Sequence, residues 1–563
     1  MKKICIGLLA FVLLGLGGWA CGNVDEAVVV RTNAPTGDGG MVSSAHELAT
    51  LAGVEVLENG GNAFDATVAV AAVLTVVEPQ SSNLFGGYGT VVTYDADSGG
   101  LRYLDMNGRF PKATNADVFR EADDLGVMLR TAQSVSTPAN LHGFEALWQE
   151  YGTRPWADLL ASAAGHAAEG VEVSEPMARS IAGAWQYFSD YAKAIYGKEG
   201  EPLEAGDVIV QTDLAEAFRL AAEMGGEALY GGPLGELMVA EMERKGGFLA
   251  MEDLAEHEAE WFEPIEIDYR GHQVVTAGAP SNSFAALVAA GIMSRYDNVT
   301  LGFNSTAYLH RFAEAVKHAS WARLKYAGGP EKDPPPLDLL LSEAYWQEAA
   351  DALDSHAATG FDPPGPVTTE GEETTHFVVA DRWGNVVSAT ITLGHGFGSA
   401  VMVEGAGIWL NNSMAYSTFF PAGNPMDALP GSRKHSSMSP TIILRDGRPW
   451  AAIGSPGGHT IQQSVAQMVV DLIDFEMAIQ EALDVPRVAF SEPDVLLVDE
   501  RVPEEIRHQL ATMGHKVRES RGVGLPHGLR IQYDASGDVS LFFGAADGRG
   551  IGKAIGLSVA PGP

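Results

Sequence analysis

Threonine is a weak nucleophile, and its hydroxyl attacks a carbonyl only when a base stands beside it. A threonine that begins a chain carries such a base in its own α-amino group, whose pKa near ~8 leaves part of it neutral at physiological pH. The junction between Glu373 and Thr374 offers this arrangement. Residues 328–373 form a connector with Pro334-Pro335-Pro336, a helix-like stretch over 341–353, Asp362-Pro363-Pro364-Gly365-Pro366 and an acidic, threonine-rich run. Such sequence reads as exposed, extended chain. Immediately after it the pattern becomes β-rich over 375–380 and 386–393, with Asp381-Arg382-Trp383-Gly384-Asn385 between, which predicts a hairpin. A cut before Thr374 therefore places a free threonine at the head of a strand.

The hairpin also supplies a partner. If the turn is Arg382-Trp383-Gly384, residues 381 and 385 face each other, and the same count sets Thr374 across from Thr392. Directly opposed side chains have Cβ atoms ~5 Å apart, close enough for a second hydroxyl to hold the first. A two- or four-residue turn pairs Thr374 with a neighbour of Thr392 instead.

The elements that must carry these residues follow from periodicity. Residues 43–57 have helical spacing and stop at Gly60-Gly61, read as a helix C-cap, and residues 63–77 are apolar on nearly every side, which predicts an interior helix. A glycine-rich turn at Gly86, Gly87 and Gly89 leads into strands over 90–94 and 101–105. Residues 132–323 read as mostly helical, with helices around 144–151, 157–168, 214–224 and 306–323. Strands are predicted at 407–410, 441–444 and 450–453, then a helix over 461–475 and a mixed tail. Helices before the junction and strands after it predict an α+β sandwich built from both halves.

The bulk composition narrows the partners. With 563 residues and 46% hydrophobic content the chain is globular, and 36 basic against 73 acidic residues give a net charge of −37, which repels nucleic acid and anionic lipid headgroups. Residues 1–20 read as an export signal: Lys2 and Lys3 precede an apolar run over 4–16, then Gly17-Gly18-Trp19-Ala20. Only two cysteines exist, Cys5 and Cys21, so the exported protein holds no internal disulfide. Cys21, at the head of a polar tether over 21–40, resembles the lipid-modified first residue of bacterial lipoproteins. The Gly-Trp-Ala before it departs from the usual leucine-led motif, which leaves a lipid anchor, simple cleavage and a retained anchor helix as three readings. The expected location is the periplasm or cell envelope.

Taken in order, Thr374-Thr375-His376, Asp381 with Gly384-Asn385, Thr392-Leu393, Phe397-Gly398, Leu410-Asn411-Asn412, Ser436-Ser437-Met438-Ser439-Pro440-Thr441 and Gly454-Ser455-Pro456-Gly457-Gly458 resemble the small subunit of gamma-glutamyltransferases. Earlier, Gly60-Gly61-Asn62-Ala63, Asp65-Ala66, Glu78-Pro79 and residues 84–89 resemble the start of that family's large subunit. The resemblance implies a four-layer αββα sandwich of the N-terminal-nucleophile hydrolase type and autocleavage into a large subunit, 41–373, and a small subunit, 374–563, that stay together as a heterodimer. It implies an amidohydrolase or acyltransferase working through a Thr374 acyl-enzyme on gamma-glutamyl or related amides, with water or an amine as acceptor and no cofactor. By matching position Thr392 orients the nucleophile, Gly457 and Gly458 form the oxyanion hole, and Ser436 and Ser437 line the acyl pocket.

The head-group positions depart from the family. Asn107 stands where an arginine is expected, with Arg109 two residues on; Gly394 replaces an asparagine, Ser413 a glutamine and Tyr416 an aspartate. Losing the cation for a carboxylate and the anion for an ammonium removes most of what reads an amino-acid head group. Arg109 is then the candidate substitute, since Gly108-Arg109-Phe110-Pro111 resembles relatives that include oxamate amidohydrolase. Changed acyl specificity, acylase-like or oxamate-like, is one alternative; a non-catalytic ligand-binding lipoprotein of the same fold is the other. Other templates fail: His257-Glu258 lacks a second zinc-spaced histidine, Gly454-Ser455-Pro456 is no nucleophile elbow, and no phosphate loop occurs. No metal site is expected.

Overall fold

The computed structural model describes residues 34–331, 333–361 and 373–558. The export signal and Cys21 lie outside them. Two seven-stranded antiparallel sheets carry the site. The first runs Lys553–Leu557, Gly40–Ser44, Thr375–Asp381, Val386–Thr392, Tyr88–Asp95, Gly100–Met106, Glu260–Phe262. The second runs Thr36–Gly37, Val539–Ala546, His527–Tyr533, Arg448–Gly454, Thr441–Arg445, His272–Thr276, Ile265–Tyr269. Both sheets mix strands from before and after residue 374.

Alternation along the strands explains the layers. Phe377 and Val379 point to one face and pack with the buried helix Ala63–Val77, whereas Val378 and Ala380 point to the other and meet Ile442, Ala452 and Leu529 of the second sheet. The outer face of the second sheet is covered by Phe284–Met293, Thr306–Tyr326 and Thr460–Ile473. The result is a helix–sheet–sheet–helix sandwich.

Local chemistry fixes the elements nearest the junction. Helix Ala63–Val77 starts at a capping box in which Asn62 and Asp65 exchange side-chain-to-backbone bonds. The Asp381 carboxylate accepts from the Ala63 amide at 2.8 Å, tying the hairpin turn to that helix. The hairpin takes the three-residue turn, since the Asp381 amide donates to the Asn385 carbonyl at 3.1 Å and Thr375 pairs with Ile391.

Three expectations change. The helix expected over 43–57 begins only at Glu47, with His46 as its cap, because Gly40–Ser44 is a sheet strand whose Ser43 hydroxyl donates to the Ala545 carbonyl at 2.6 Å. Within the helical stretch 132–323, Ile265–Tyr269 and His272–Thr276 form a hairpin that completes the second sheet. The mixed tail contributes three long strands, His527–Tyr533, Val539–Ala546 and Lys553–Leu557. Tertiary pairing overrides local pattern in each case.

Candidate active site

Continuing the register one step beyond Thr375–Ile391 sets Thr374 opposite Thr392, and Thr392 pairs with Tyr88 on its other side. The three side chains thus stand in a row on the face turned toward the second sheet, at one end of the layer between the sheets. The Thr374 hydroxyl donates to Thr392 Oγ1 at 3.3 Å. Thr392 Oγ1 in turn donates to the Glu373 carbonyl at 2.8 Å and accepts from the Gly394 amide at 2.8 Å. A single hydroxyl therefore bridges the attacking oxygen and the carbonyl oxygen of the bond before it. Gly394 has φ +100° and an added Cβ would fall 2.2 Å from Asn412 Oδ1, so only glycine allows this approach.

The glycine pair sits where the Arg448–Gly454 strand gives way to helix Thr460–Ile473. Gly457 and Thr374 line one cavity of about 1040 Å³, together with Glu78, Arg130, His395 and Thr460. Thr460 Oγ1 donates to the Gly457 carbonyl and Ser437 Oγ to the Gly458 carbonyl, both at 2.8 Å. With the carbonyls held, the Gly457 and Gly458 amides have no protein acceptor among the described residues, and they precede a helix N-terminus, where negative charge is favoured. Ser437 thus supports the glycine pair, and Ser436 Oγ, 3.1 Å from Ser281 Oγ, lies in the buried wall beside it.

The head-group residues are placed differently. Asn107 is fully buried, and its amide donates to Asp105 Oδ1 at 2.7 Å and Thr90 Oγ1 at 3.2 Å. Arg109 does not line the cavity that holds Thr374; its guanidinium pairs with Glu331 at 2.8 Å and Glu260 at 3.6 Å. The expectation that Arg109 stands in for the missing arginine is therefore corrected: its charge is already engaged by two carboxylates. Ser413 is buried with its hydroxyl unpartnered among the described residues. Tyr416 stacks near His459, ring centres 5.1 Å apart, and accepts from Asn282 Nδ2 at 3.5 Å.

Residues not singled out from sequence complete the corner. Lys434 is 1% exposed, and its ammonium lies 3.4 Å from the centre of the Tyr88 ring and 5.4 Å from that of Tyr416. Its loop is held by the Arg433–Asp105 ion pair at 2.8 Å and by the Lys434 amide donating to the Gly108 carbonyl at 3.2 Å. On the cavity wall, burial pushes the Glu78 carboxyl up to about 7, against the lowering effect of the Thr375 hydroxyl and with the Glu373 charge adding to the rise. His376 accepts or donates at Nδ1 to Thr390 Oγ1, 2.9 Å away, and burial holds it neutral. Far from this site, His310, Glu314 and His515 cluster with ligand atoms within 4.8 Å of one another. His310 bonds His515 at 2.8 Å and Lys317 holds Glu314 at 3.0 Å, whereas His515 Nδ1 has no hydrogen-bond partner among the described residues and lies 4.0 Å from Glu314 Oε1.

A strand-leading threonine braced by a second threonine, between two antiparallel sheets flanked by helices, defines an N-terminal-nucleophile hydrolase. The model of the family Gamma-glutamyltranspeptidase matches residues 49–557. The chain is 34% identical over 537 residues to a glutathione hydrolase proenzyme of Escherichia coli (strain K12), covering 91% of this chain and 90% of that protein. It is also 34% identical over 539 residues to the acylase ACY 1 proenzyme of Pseudomonas sp. (strain SE83), covering 93% and 94%. A crystal structure of cephalosporin acylase from Bacillus halodurans superposes with a TM-score of 0.84 at 28% identity, covering 96% of this chain and 99% of that one. The chain belongs to the gamma-glutamyltranspeptidase family.

Proposed function

We propose that the chain is a precursor that cuts itself between Glu373 and Thr374 and then acts as an amidohydrolase or acyltransferase on gamma-glutamyl or related small acyl amides. The observation that carries this reading is the Thr392 hydroxyl, which accepts from Thr374 Oγ1 and donates to the Glu373 carbonyl. In the first step Thr374 Oγ1 bonds to the Glu373 carbonyl carbon. Its proton passes to Thr392, whose own proton moves onto the carbonyl oxygen. Collapse breaks the C–N bond, the Thr374 nitrogen leaves as an amine with that proton, and an ester joins residues 373 and 374. Water hydrolyses the ester, releasing a Glu373 carboxylate and a Thr374 with free hydroxyl and α-amine.

The second reaction repeats the attack on an external amide. The α-amine takes the hydroxyl proton and hands it to the departing amine, leaving an acyl ester on Thr374 that water or a second amine resolves. The amides of Gly457 and Gly458 suit the oxyanion of this step, where one aligned donor contributes ~3 to 4 kcal/mol. The altered head-group positions favour an acyl group other than plain gamma-glutamyl, and the family relatives named above include acylases as well as glutathione hydrolases. Fragments 41–373 and 374–563 form the working heterodimer. The Lys2-Lys3 and apolar leader supports export to the periplasm or cell envelope, with Cys21 as the point of lipid attachment.

A denaturing gel of purified protein tests the proposal. Two bands are expected, with terminal sequencing of the smaller starting at Thr374, and a single band for Thr374→Ala. An uncut wild type supports the rival ligand-binding lipoprotein. On substrate, a gamma-glutamyl anilide is expected to turn over poorly beside another small acyl anilide, and robust transfer from it to glycylglycine refutes that expectation.

A further inference from the structure

We infer that the chain reads the side chain in front of its own scissile bond: Glu373 is a positioning residue for self-cutting, held by Ser180 and Ser81, and the hold requires a side chain of glutamate's length ending in a carboxylate or carboxamide. The inference rests on the proposed self-cutting and names the feature that selects the bond. In the uncut chain Ser180 Oγ donates to Glu373 Oε1 at 3.0 Å and Ser81 Oγ to Glu373 Oε2 at 3.4 Å. The carbonyl of the same residue accepts from Thr392 Oγ1 at 2.8 Å. Residue 373 is therefore gripped at two points, by the end of its side chain and by the carbonyl that Thr374 attacks.

The two serines come from elements that are firmly placed. Helix Glu175–Ala184 starts at the Ser174 cap and buries Met177, Ile181 and Ala184, which leaves Ser180 on the cavity wall that also includes Glu373 and Thr374. Ser81 is buried, and its carbonyl accepts the Leu393 amide at 3.1 Å, so it is registered on the strand end that carries Thr392. The Gln80 carbonyl accepts the Phe397 amide at 2.9 Å and continues that seam. The floor beneath Glu373 is Gly396, where an added Cβ would fall 3.3 Å from Glu373 Cγ. Arg130 pins this floor by donating to the Gly396 and Gly398 carbonyls, the latter at 3.1 Å.

One hydrogen bond to a carbonyl leaves the peptide free to swing about it. A second grip on the same residue removes that freedom, and attack by the Thr374 hydroxyl depends on holding the carbonyl carbon in a near-attack alignment. The carboxylate makes both serine bonds charge-assisted, which strengthens them. Aspartate is one methylene too short to reach Ser180 while its carbonyl stays on Thr392, and alanine leaves both serines facing the cavity. Glutamine keeps an oxygen for Ser180 and an amide that the Ser81 hydroxyl accepts, at reduced strength. Length therefore matters first and charge second.

The test follows freshly made precursor from cell-free synthesis in a gel time course. Glu373→Ala and Glu373→Asp are expected to slow cutting by about 10- to 100-fold, and Glu373→Gln by less than about fivefold. Ser180→Ala is expected to slow the wild-type sequence by about fivefold and to add nothing to Glu373→Ala, because the serine acts through that carboxylate. A serine that merely supports the fold gives the same factor in both backgrounds, and that result overturns the inference. Wild-type rates in Glu373→Ala or Glu373→Asp, or a Glu373→Gln as slow as Glu373→Ala, overturn it too. Hydrogen exchange in uncut Thr374→Ala protein reads the hold without any bond breaking: the amides over 373–377 are expected to exchange faster once Glu373→Ala is added, and unchanged exchange sinks the inference. A wild-type precursor that never cuts, with exchange that still responds, sinks the self-cutting reading instead.

Discussion

The two ends of the site were assembled under different constraints. At the proposed nucleophile end, Thr374 and Thr392 are joined by a hydrogen bond, and Thr392 also bonds the Glu373 carbonyl and the Gly394 amide. At the head-group end, the expected residues are absent or turned to other work: Asn107 braces Asp105, Arg109 faces Glu331, and Lys434 enters from a different loop. Bond-breaking tolerates one geometry, because the proton must travel along a fixed path. Contacts away from that path are free of this constraint, and the head-group positions have changed accordingly.

Substitutions at the two ends should separate cleanly. The largest effect is expected from Thr392→Val, which removes the hydroxyl that accepts from the nucleophile and donates to the Glu373 carbonyl; self-cutting should slow by about 10²- to 10³-fold in a gel time course. Cutting at the wild-type rate would rule out a proton path through Thr392. Next, Gly457→Ala forces a side chain at φ +127° with its Cβ 2.5 Å from Thr460 Oγ1. On processed protein kcat is expected to fall about 10²-fold, while cutting, which uses Thr392 on the carbonyl, changes far less. Comparable losses in both would mean that one oxyanion site serves both reactions.

At the other end, Asp105→Asn leaves the buried Arg433 without one of its carboxylates. A loss of about 2 kcal/mol in denaturant unfolding is expected, together with unimpaired cutting. The smallest effect concerns Glu78, whose carboxyl burial raises to about 7. A folded-state pKa above the unfolded value means that the fold holds the proton more tightly, so stability falls as pH rises from the unfolded value through about 7. Glu78→Gln should therefore gain on wild type by about 2 to 3 °C in Tm at about pH 8 and by nothing at about pH 4. A pH-independent difference would remove the buried-carboxyl account.

Much of the nucleophile end was legible in the sequence because it is local. The hairpin turn and the length of its arms fixed the Thr374–Thr392 pairing, and helix Ala63–Val77 begins and ends where its apolar run does. The strands at Ile265–Tyr269 and His272–Thr276 were legible in principle, since a two-residue Arg270-Gly271 turn separates β-branched and aromatic runs. Lys434 was not legible. Its place depends on pairing between Gly108 and a loop more than three hundred positions later, and no periodicity within either segment reports it. The same holds for Asn107, whose partner Asp105 is near in sequence but whose purpose is set by Arg433.

In the first sheet, Thr375–Asp381 is flanked by Gly40–Ser44 and Val386–Thr392, and in the second, Thr441–Arg445 lies beside His272–Thr276. Severing the backbone at residue 374 would delete one covalent link and not a single rung of either ladder. The two pieces are woven rather than docked, since each sheet mixes strands from both. Genes that encoded the halves separately would have to achieve that interdigitation between two chains, which synthesis as one polypeptide supplies at the outset.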